Sequence, residues 1–230
     1  MSEFSSLLEG TLIPLYKPVG LTSFNVVSRV RRASGIKKVG HAGTLDPFAE
    51  GVLIIGIGRS ATRRLDEFQL MEKEYIGRVV LGITTDTYDS TGKVVEKNDF
   101  EMPSESQILQ SLSKFTGEIF QLPPMYSALK VKGVRMYRAA RKGIELERKP
   151  RKVNIKSIDL LQINSDGFEM KVICSKGTYI RALAYDVGID LGMGAHLGNL
   201  KRTRIGSYGL DKTKDLKSFV SWISNEQRGS

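Results

Sequence analysis

The 230-residue chain is expected to adopt an α+β fold, a mixed and mostly antiparallel central sheet flanked by helices and loops. Three observations predict it. Phe168, Met170, Val172 and Cys174 alternate with Glu169, Lys171 and Ser175, the period of a half-buried strand. Ser104 and Gln107 form a capping box ahead of Ile108, Leu109 and Leu112, which marks a helix start. Along the rest of the chain, hairpin patterns and helical patterns are mixed without regular βαβ alternation.

The elements follow in order. Residues 11–17 read as a short strand, and Thr22 or Ser23 then caps a helix with Val26, Val27 and Val30 as its apolar stripe. The unbroken aliphatic run 52–57 fits a strand buried on both faces. Residues 60–70 look helical, and 73–82 return as a strand with Tyr75, Gly77, Val79 and Leu81 on one face. Turn chemistry over 84–92 leads to a short strand at Val94 and Val95, an antiparallel hairpin. After the capped helix comes the proline-rich QLPPMYSALKVKG, then a basic helix over 136–142. Strands at 153–163 and 168–175, a helix over 178–191, a strand over 202–208 and a helix over 214–223 complete the prediction.

Composition narrows the function. Lysine and arginine total 35 against 25 acidic residues, a formal charge of +10, which suits a polyanionic partner, nucleic acid first. Cys174 is the sole cysteine, so an intramolecular disulfide is impossible and a reducing compartment, the cytoplasm, is expected. His41, His196 and Cys174 do not share any ligand spacing, so no metal site is expected. The N-terminus lacks a signal-peptide layout and no apolar run approaches the roughly 20 residues of a membrane span, so no membrane partner is expected either.

One motif points elsewhere. GIGRSA, residues 56–61, follows the aliphatic strand, precedes a helix and matches the G-x-G-x-x-A form of a dinucleotide-binding turn. That fingerprint also requires an acid at the end of the next strand. Glu74 opens its strand, and a hairpin follows it. Glycines permitting a tight strand-to-helix turn are the better explanation.

Four stretches combine reactive or stacking side chains with glycine or proline: YKPVGLTSF (16–24), GHAGTLDPFAEGVLIIGIG (40–58), KEYIGRVVLG (73–82) and CSKGTYIRALAYDVG (174–188). Pro47 biases Asp46 away from helical dihedrals, and Gly43 and Gly51 allow close backbone approach, so the carboxylate can be presented from a rigid loop. A lone aspartate before proline is more often a turn residue. Arg181 is a cation that would hold such a carboxylate ionised and aimed, although an isolated arginine on a helix is usually solvated.

Taken together, KPVGLTSF, GHAGTLDPFAEGVLIIGIGRSATR, EKEYIGRVVLGITTDTYDSTG and CSKGTYIRALAYDVG resemble the TruB family of tRNA pseudouridine synthases. The resemblance is collinear from about Leu15 to about Gly206. It implies the pseudouridine synthase fold over a single catalytic domain, 1–230, with two subdomains sharing one sheet. It also implies isomerisation of the uridine at position 55 (standard tRNA numbering) in the T loop, without cofactor or metal. The partner it implies is the tRNA T arm with the target uridine flipped out; no obligatory protein partner is expected, and the protein is expected to be a monomer. Non-catalytic tRNA binding or folding is the alternative from another class, and the intact Asp46, Tyr75 and Arg181 set argues against it.

By the same resemblance, Asp46 is the essential residue, which attacks the ribose C1′ or the uracil C6 or assists elimination through a glycal; the three routes stand as alternatives. Tyr75 matches a tyrosine that stacks on the target base, Arg181 the arginine paired with the catalytic aspartate, and Tyr179 a tyrosine lining the same pocket. His41 matches a histidine that enters the T loop and holds the flipped conformation. Lys17, with Pro18, matches a K-P motif supporting the catalytic loop. Leu200 matches an apolar residue near the uracil, and Lys176, in the CSKG turn, is carried over as a substrate contact. Basic residues clustered over 29–38 and 135–152 are candidates for phosphate contact. The family usually ends in a small RNA-binding domain of the PUA type; about two dozen residues follow Gly206 here, so no such domain is expected.

Overall fold

The computed structural model of the chain describes residues 8–127, 129–131, 134–136, 140, 144 and 146–229. It divides into two compact units, one from Met1–Tyr75 with Lys201–Ser230 and one from Ile76–Leu200.

The first unit is built around β3 (Glu50–Ile57). β1 (Leu12–Lys17) pairs antiparallel with it, from Leu12 opposite Gly56 to Lys17 opposite Gly51. β2 (Val39–Ala42) also pairs antiparallel, with His41 opposite Ile55. The end of β12 (Ala195–Ile205) pairs parallel through Lys201 and Arg202. β13 (Tyr208–Gly209) folds back antiparallel on the end of β12, and β14 (Lys214–Asp215) lies parallel to β1. Because successive strand residues point to opposite faces, β3 feeds two cores. Leu53, Ile55 and Ile57 pack with Val26, Val27 and Val30 of α1 (Ser23–Ser34) and with Leu216, Phe219 and Ile223 of α6 (Leu216–Gly229). Val52 and Ile54 pack instead with Leu65 and Phe68 of α3 (Leu65–Leu70) and with Ile205. The expected double-sided burial of this strand is therefore observed, and each such side chain contributes about 1.5–3 kcal/mol.

α1 begins where its capping chemistry is satisfied: the Thr22 side chain accepts from Asn25 N while Asn25 Oδ1 accepts from Thr22 N, both at 2.9 Å. It ends at Gly35 in the left-handed region. The helix expected over 60–70 is two short helices, α2 (Arg59–Arg63) and α3, because the chain turns at Arg64.

Gly51 shows how tightly this unit is built. Its φ is +112°, and an added Cβ would stand 2.2 Å from the Arg202 carbonyl oxygen. Gly20 also has positive φ, +85°, but a Cβ there would meet nothing within 4 Å. Gly51→Ala is accordingly expected to lower unfolding free energy by about 3 kcal/mol, from strain plus collision, and Gly20→Ala by about 1 kcal/mol, from strain alone. Paired urea unfolding curves check the difference; equal costs would contradict it.

In the second unit the strand order is β12, β4 (Lys73–Leu81), β11 (Gly167–Cys174), β10 (Arg151–Asn164) and β7 (Gly117–Gln121). The β10–β11 hairpin and the β7–β10 pair are antiparallel. Two small antiparallel pairs stand apart: β5 (Ile83–Thr85) with β6 (Val94–Lys97), and β8 (Lys130–Val131) with β9 (Val134–Arg135). α4 (Glu105–Lys114) starts at the expected Ser104–Gln107 capping box, and α5 (Ile180–Asp190) follows the turn after β11.

Several expectations need correction. The strand expected over 202–208 is the end of the eleven-residue β12, then a turn at Gly206 and the two-residue β13; Gly198 and Asn199 hid its first half. β2 places His41 on a strand where sequence suggested loop, and β7 was not anticipated beside the proline-rich stretch. The basic helix expected over 136–142 falls largely outside the described residues, which there include only Met136 and Ala140. GIGRSA is no dinucleotide turn. At its Gly56–Ile57 end the strand pairs antiparallel with both β1 and β2, and the Glu9 carboxylate accepts from Arg59 N at 2.9 Å, occupying the place a diphosphate would need.

Candidate active site

The Asp46 loop is held by backbone clamps from three elements of the first unit. Ser23, the first residue of α1, accepts from Leu45 N at 2.8 Å and donates to Leu45 O at 3.1 Å. Gly20 N donates to Pro47 O at 2.8 Å, and Ala49 N closes a turn on Asp46 O at 3.1 Å. Arg202, 1% exposed, donates from Nε to Val52 O at 2.8 Å and from Nη2 to Gly43 O at 3.0 Å. Leu45 is buried, so the half-buried Asp46 sits between an anchored apolar residue and a proline of fixed φ.

Charges gather beneath this loop. Lys17 is fully buried, donating to Pro18 O at 2.9 Å and Leu21 O at 2.7 Å. Burial pushes its ammonium down to about 8, partly offset by the negative charge of Asp46, while Arg202 lowers it further and Glu50 opposes. Nearby, burial and a hydrogen bond to Glu50 push Tyr16 up to about 12. Burial works against the Glu50 anion, but hydrogen bonds from Lys201 and Tyr16 outweigh it and hold Glu50 below its ordinary value. Lys17 thus supports the loop by bonding the backbone on either side of Val19 and Gly20.

The depressed Lys17 value carries a stability consequence. Its folded-state value, about 8, lies below the unfolded 10.5, so the unfolded chain binds more protons between those pH values. Stability from this group therefore rises with pH from about 8 to 10.5, by about 3 kcal/mol. Urea midpoints measured across that window should rise relative to Lys17→Met, in which the increment is absent; parallel profiles would exclude it.

His41 lies on β2, its ring Nδ1 buried and without a hydrogen-bond partner among the described residues. Burial, then the Arg202 charge, lower its pKa, so the ring is neutral at pH 7. Tyr75 is half-buried on β4, directly after Glu74, which accepts from Thr203 Oγ1 through both its carbonyl and its carboxylate. Asp46, His41, Lys17 and Tyr75 thus all belong to the first unit.

Arg181, Tyr179, Lys176 and Leu200 belong to the second. Arg181 is 4% exposed and donates from Nη1 to the Asp89 carboxylate at 3.1 Å and Thr87 O at 2.9 Å, and from Nη2 to Tyr126 O at 2.9 Å. Asp89 is equally buried and also accepts from Thr87 Oγ1, Thr91 N and Thr91 Oγ1. Tyr179, the N-cap of α5, is gripped by the buried Gln121 side chain, which accepts from Tyr179 N at 2.8 Å and donates to Tyr179 O at 2.9 Å. Lys176 is exposed in the turn before α5, and Leu200 is buried against Gly77.

Sequence reading gave Ser23 only as a candidate helix cap and did not single out Asp89, Gln121 or Arg202. Asp89 carried a signal, since it lies in TDTYDSTG, but it read as ordinary turn chemistry. Arg202 carried none, because an arginine on a strand normally reaches solvent.

The comparisons with known proteins agree with this architecture. Residues 31–180 match the family described as TruB family pseudouridylate synthase (N terminal domain). The chain is 49% identical over 208 residues to tRNA pseudouridine synthase B of Clostridium tetani, covering 90% of this chain and 72% of that protein. It is 45% identical over 224 residues to tRNA pseudouridine synthase B of Bacteroides fragilis, covering 95% and 96%. Among solved structures it is similar to a chain of a Cbf5-Nop10-Gar1 complex, with TM-score 0.77 and 28% identity; the match covers all of this chain and 59% of that one. On the match of residues 31–180 and these identities, the chain belongs to the TruB family of pseudouridylate synthases.

Proposed function

We propose that the protein isomerises the uridine at position 55 (standard tRNA numbering) in the T loop of tRNA to pseudouridine, with Asp46 as the essential residue. The observation that carries this is the clamped presentation of Asp46, whose neighbours Leu45 and Pro47 are both tied by hydrogen bonds to the KPVGLTSF segment. A carboxylate presented from a fixed backbone spends less entropy in meeting a reacting carbon. In the overall reaction the bond from N1 to C1′ breaks, a bond from C5 to C1′ forms, the C5 proton leaves to solvent and N1 takes up one proton in its place. The change is isomeric, so no oxidant, reductant or donor group enters the balance.

The target base must first leave its stack, which costs a few kcal/mol. Stacking on an aromatic ring is worth roughly 1–3 kcal/mol, so Tyr75 offsets much of that cost. Arg181 holds the reacting carboxylate ionised, Tyr179 lines the pocket, and neutral His41 supports the opened T loop. The net charge of +10 favours the phosphate backbone. The enzyme acts as a cytoplasmic monomer without an obligatory protein partner.

The test is incubation with unmodified tRNA transcript carrying tritium at uracil C5. Release of one tritium per tRNA, mapped to the T loop, is the expected result. Release from another loop, or none, overturns the assignment.

A further inference from the structure

Tyr88 is the one residue other than glycine with positive φ, +62°, among those described. The left-handed region is unfavourable for an aromatic side chain, so something must hold Tyr88 there. Both of its backbone groups are used: its N–H donates to Thr85 O at 3.1 Å and its carbonyl accepts from Leu197 N at 3.0 Å. Its ring stacks on Tyr185, with centroids 4.1 Å apart and planes 21° from parallel.

The position explains the distortion. Tyr88 stands between Thr87 and Asp89, and the Thr87 carbonyl and the Asp89 carboxylate both accept from the same nitrogen, Nη1 of Arg181. The left-handed turn at Tyr88 thus lies between two acceptors of a single guanidinium nitrogen, one a backbone carbonyl and one a side-chain carboxylate. Tyr185 lies four residues after Arg181 on α5, on the same helical face. The loop thus meets the helix twice one turn apart, through a buried ion pair and through a ring stack.

We propose that the Tyr88–Tyr185 stack is a positioning device for Arg181: it holds the left-handed turn at Tyr88 against α5 and so fixes the guanidinium in its working orientation. This inference rests on the catalytic role assigned to Arg181 above, and its test has an arm that does not depend on activity.

Tyr88→Gly removes the ring yet suits the left-handed backbone, so loss of function in it is not a symptom of unfolding. Under single turnover with saturating unmodified tRNA, Tyr88→Gly is expected to slow the reaction about tenfold, with the tRNA dissociation constant and thermal midpoint unchanged. Tyr88→Phe, which keeps the stack, should retain the wild-type rate. Tyr185→Leu should lose as much as Tyr88→Gly, and the double variant no more than either. The activity-independent arm is the Arg181 Nε–Hε NMR resonance, assigned by its absence in Arg181→Lys. It should move toward the position of a solvent-exposed arginine in Tyr88→Gly and stay in Tyr88→Phe. An unmoved resonance in Tyr88→Gly, a rate within twofold of wild type, or losses that multiply in the double variant would each overturn the proposal. A wild-type protein that makes no pseudouridine would sink the functional assignment instead, leaving the resonance to decide the positioning role.

Discussion

Asp46→Asn is expected to abolish pseudouridine formation, with turnover down on the order of 10⁴-fold or more, the scale seen when an essential nucleophile is removed from a preorganised site. An amide has the shape of a carboxylate but is neither an effective nucleophile nor a base. The clamps on the loop stay in place, because they run through the backbone of Leu45, Asp46 and Pro47 and through Gly43, while the buried Lys17 ammonium loses the favourable Asp46 charge. The fold and tRNA affinity are therefore expected to be retained, with a modest loss of unfolding free energy from the Lys17 charge that Asp46 no longer offsets. Slow reversion by deamidation is also blocked: cyclisation uses the next residue's N–H, and Pro47 has none. Tritium release equal to wild type would remove Asp46 from its role. Weakened binding together with lost turnover would show that the carboxylate instead organises the loop.

The ease of reading this site from sequence depended on how local each interaction is. The α1 and α4 starts were legible because a capping box is written within four residues. β3 was legible because burial on both faces forces an unbroken aliphatic run. The split between α2 and α3 was not, since both halves carry helix-forming residues and the turn at Arg64 depends on docking Leu65 and Phe68 against β3. In the same way Asp46 stood out beside Pro47 and glycine, whereas Arg202 reaches Gly43 across 159 residues of chain and Gln121 reaches Tyr179 across 58. The resemblance to a family identified residues expected to touch substrate. It was silent on Ser23, Gln121 and Arg202, which hold loops and backbone in place.

That difference matters most for the buried pair in the second unit. Arg181 and Asp89 are each only about 4% exposed at the side chain, and their separation is 3.1 Å. Bringing both charges out of water is costly, and further hydrogen bonds to each partner help their mutual attraction to repay it. Asp89 accepts from Thr87 Oγ1 and from the N–H and hydroxyl of Thr91; Arg181 donates to the carbonyls of Thr87 and Tyr126. Asp89→Ala removes the buried anion that faces the guanidinium and strands the Thr87 and Thr91 donors. The expected cost is about 3–5 kcal/mol of unfolding free energy, within the range for breaking a buried pair by deleting one partner. Replacing both members with apolar residues of similar volume, as in Asp89→Leu with Arg181→Met, should recover much of that stability, since no uncompensated charge then remains. It should not recover activity, because Arg181 is itself required. Urea unfolding and tritium release measured on the single and double variants separate the two quantities. If the double variant is no more stable than Asp89→Ala, the cost lies in the lost threonine hydrogen bonds and not in the stranded charge.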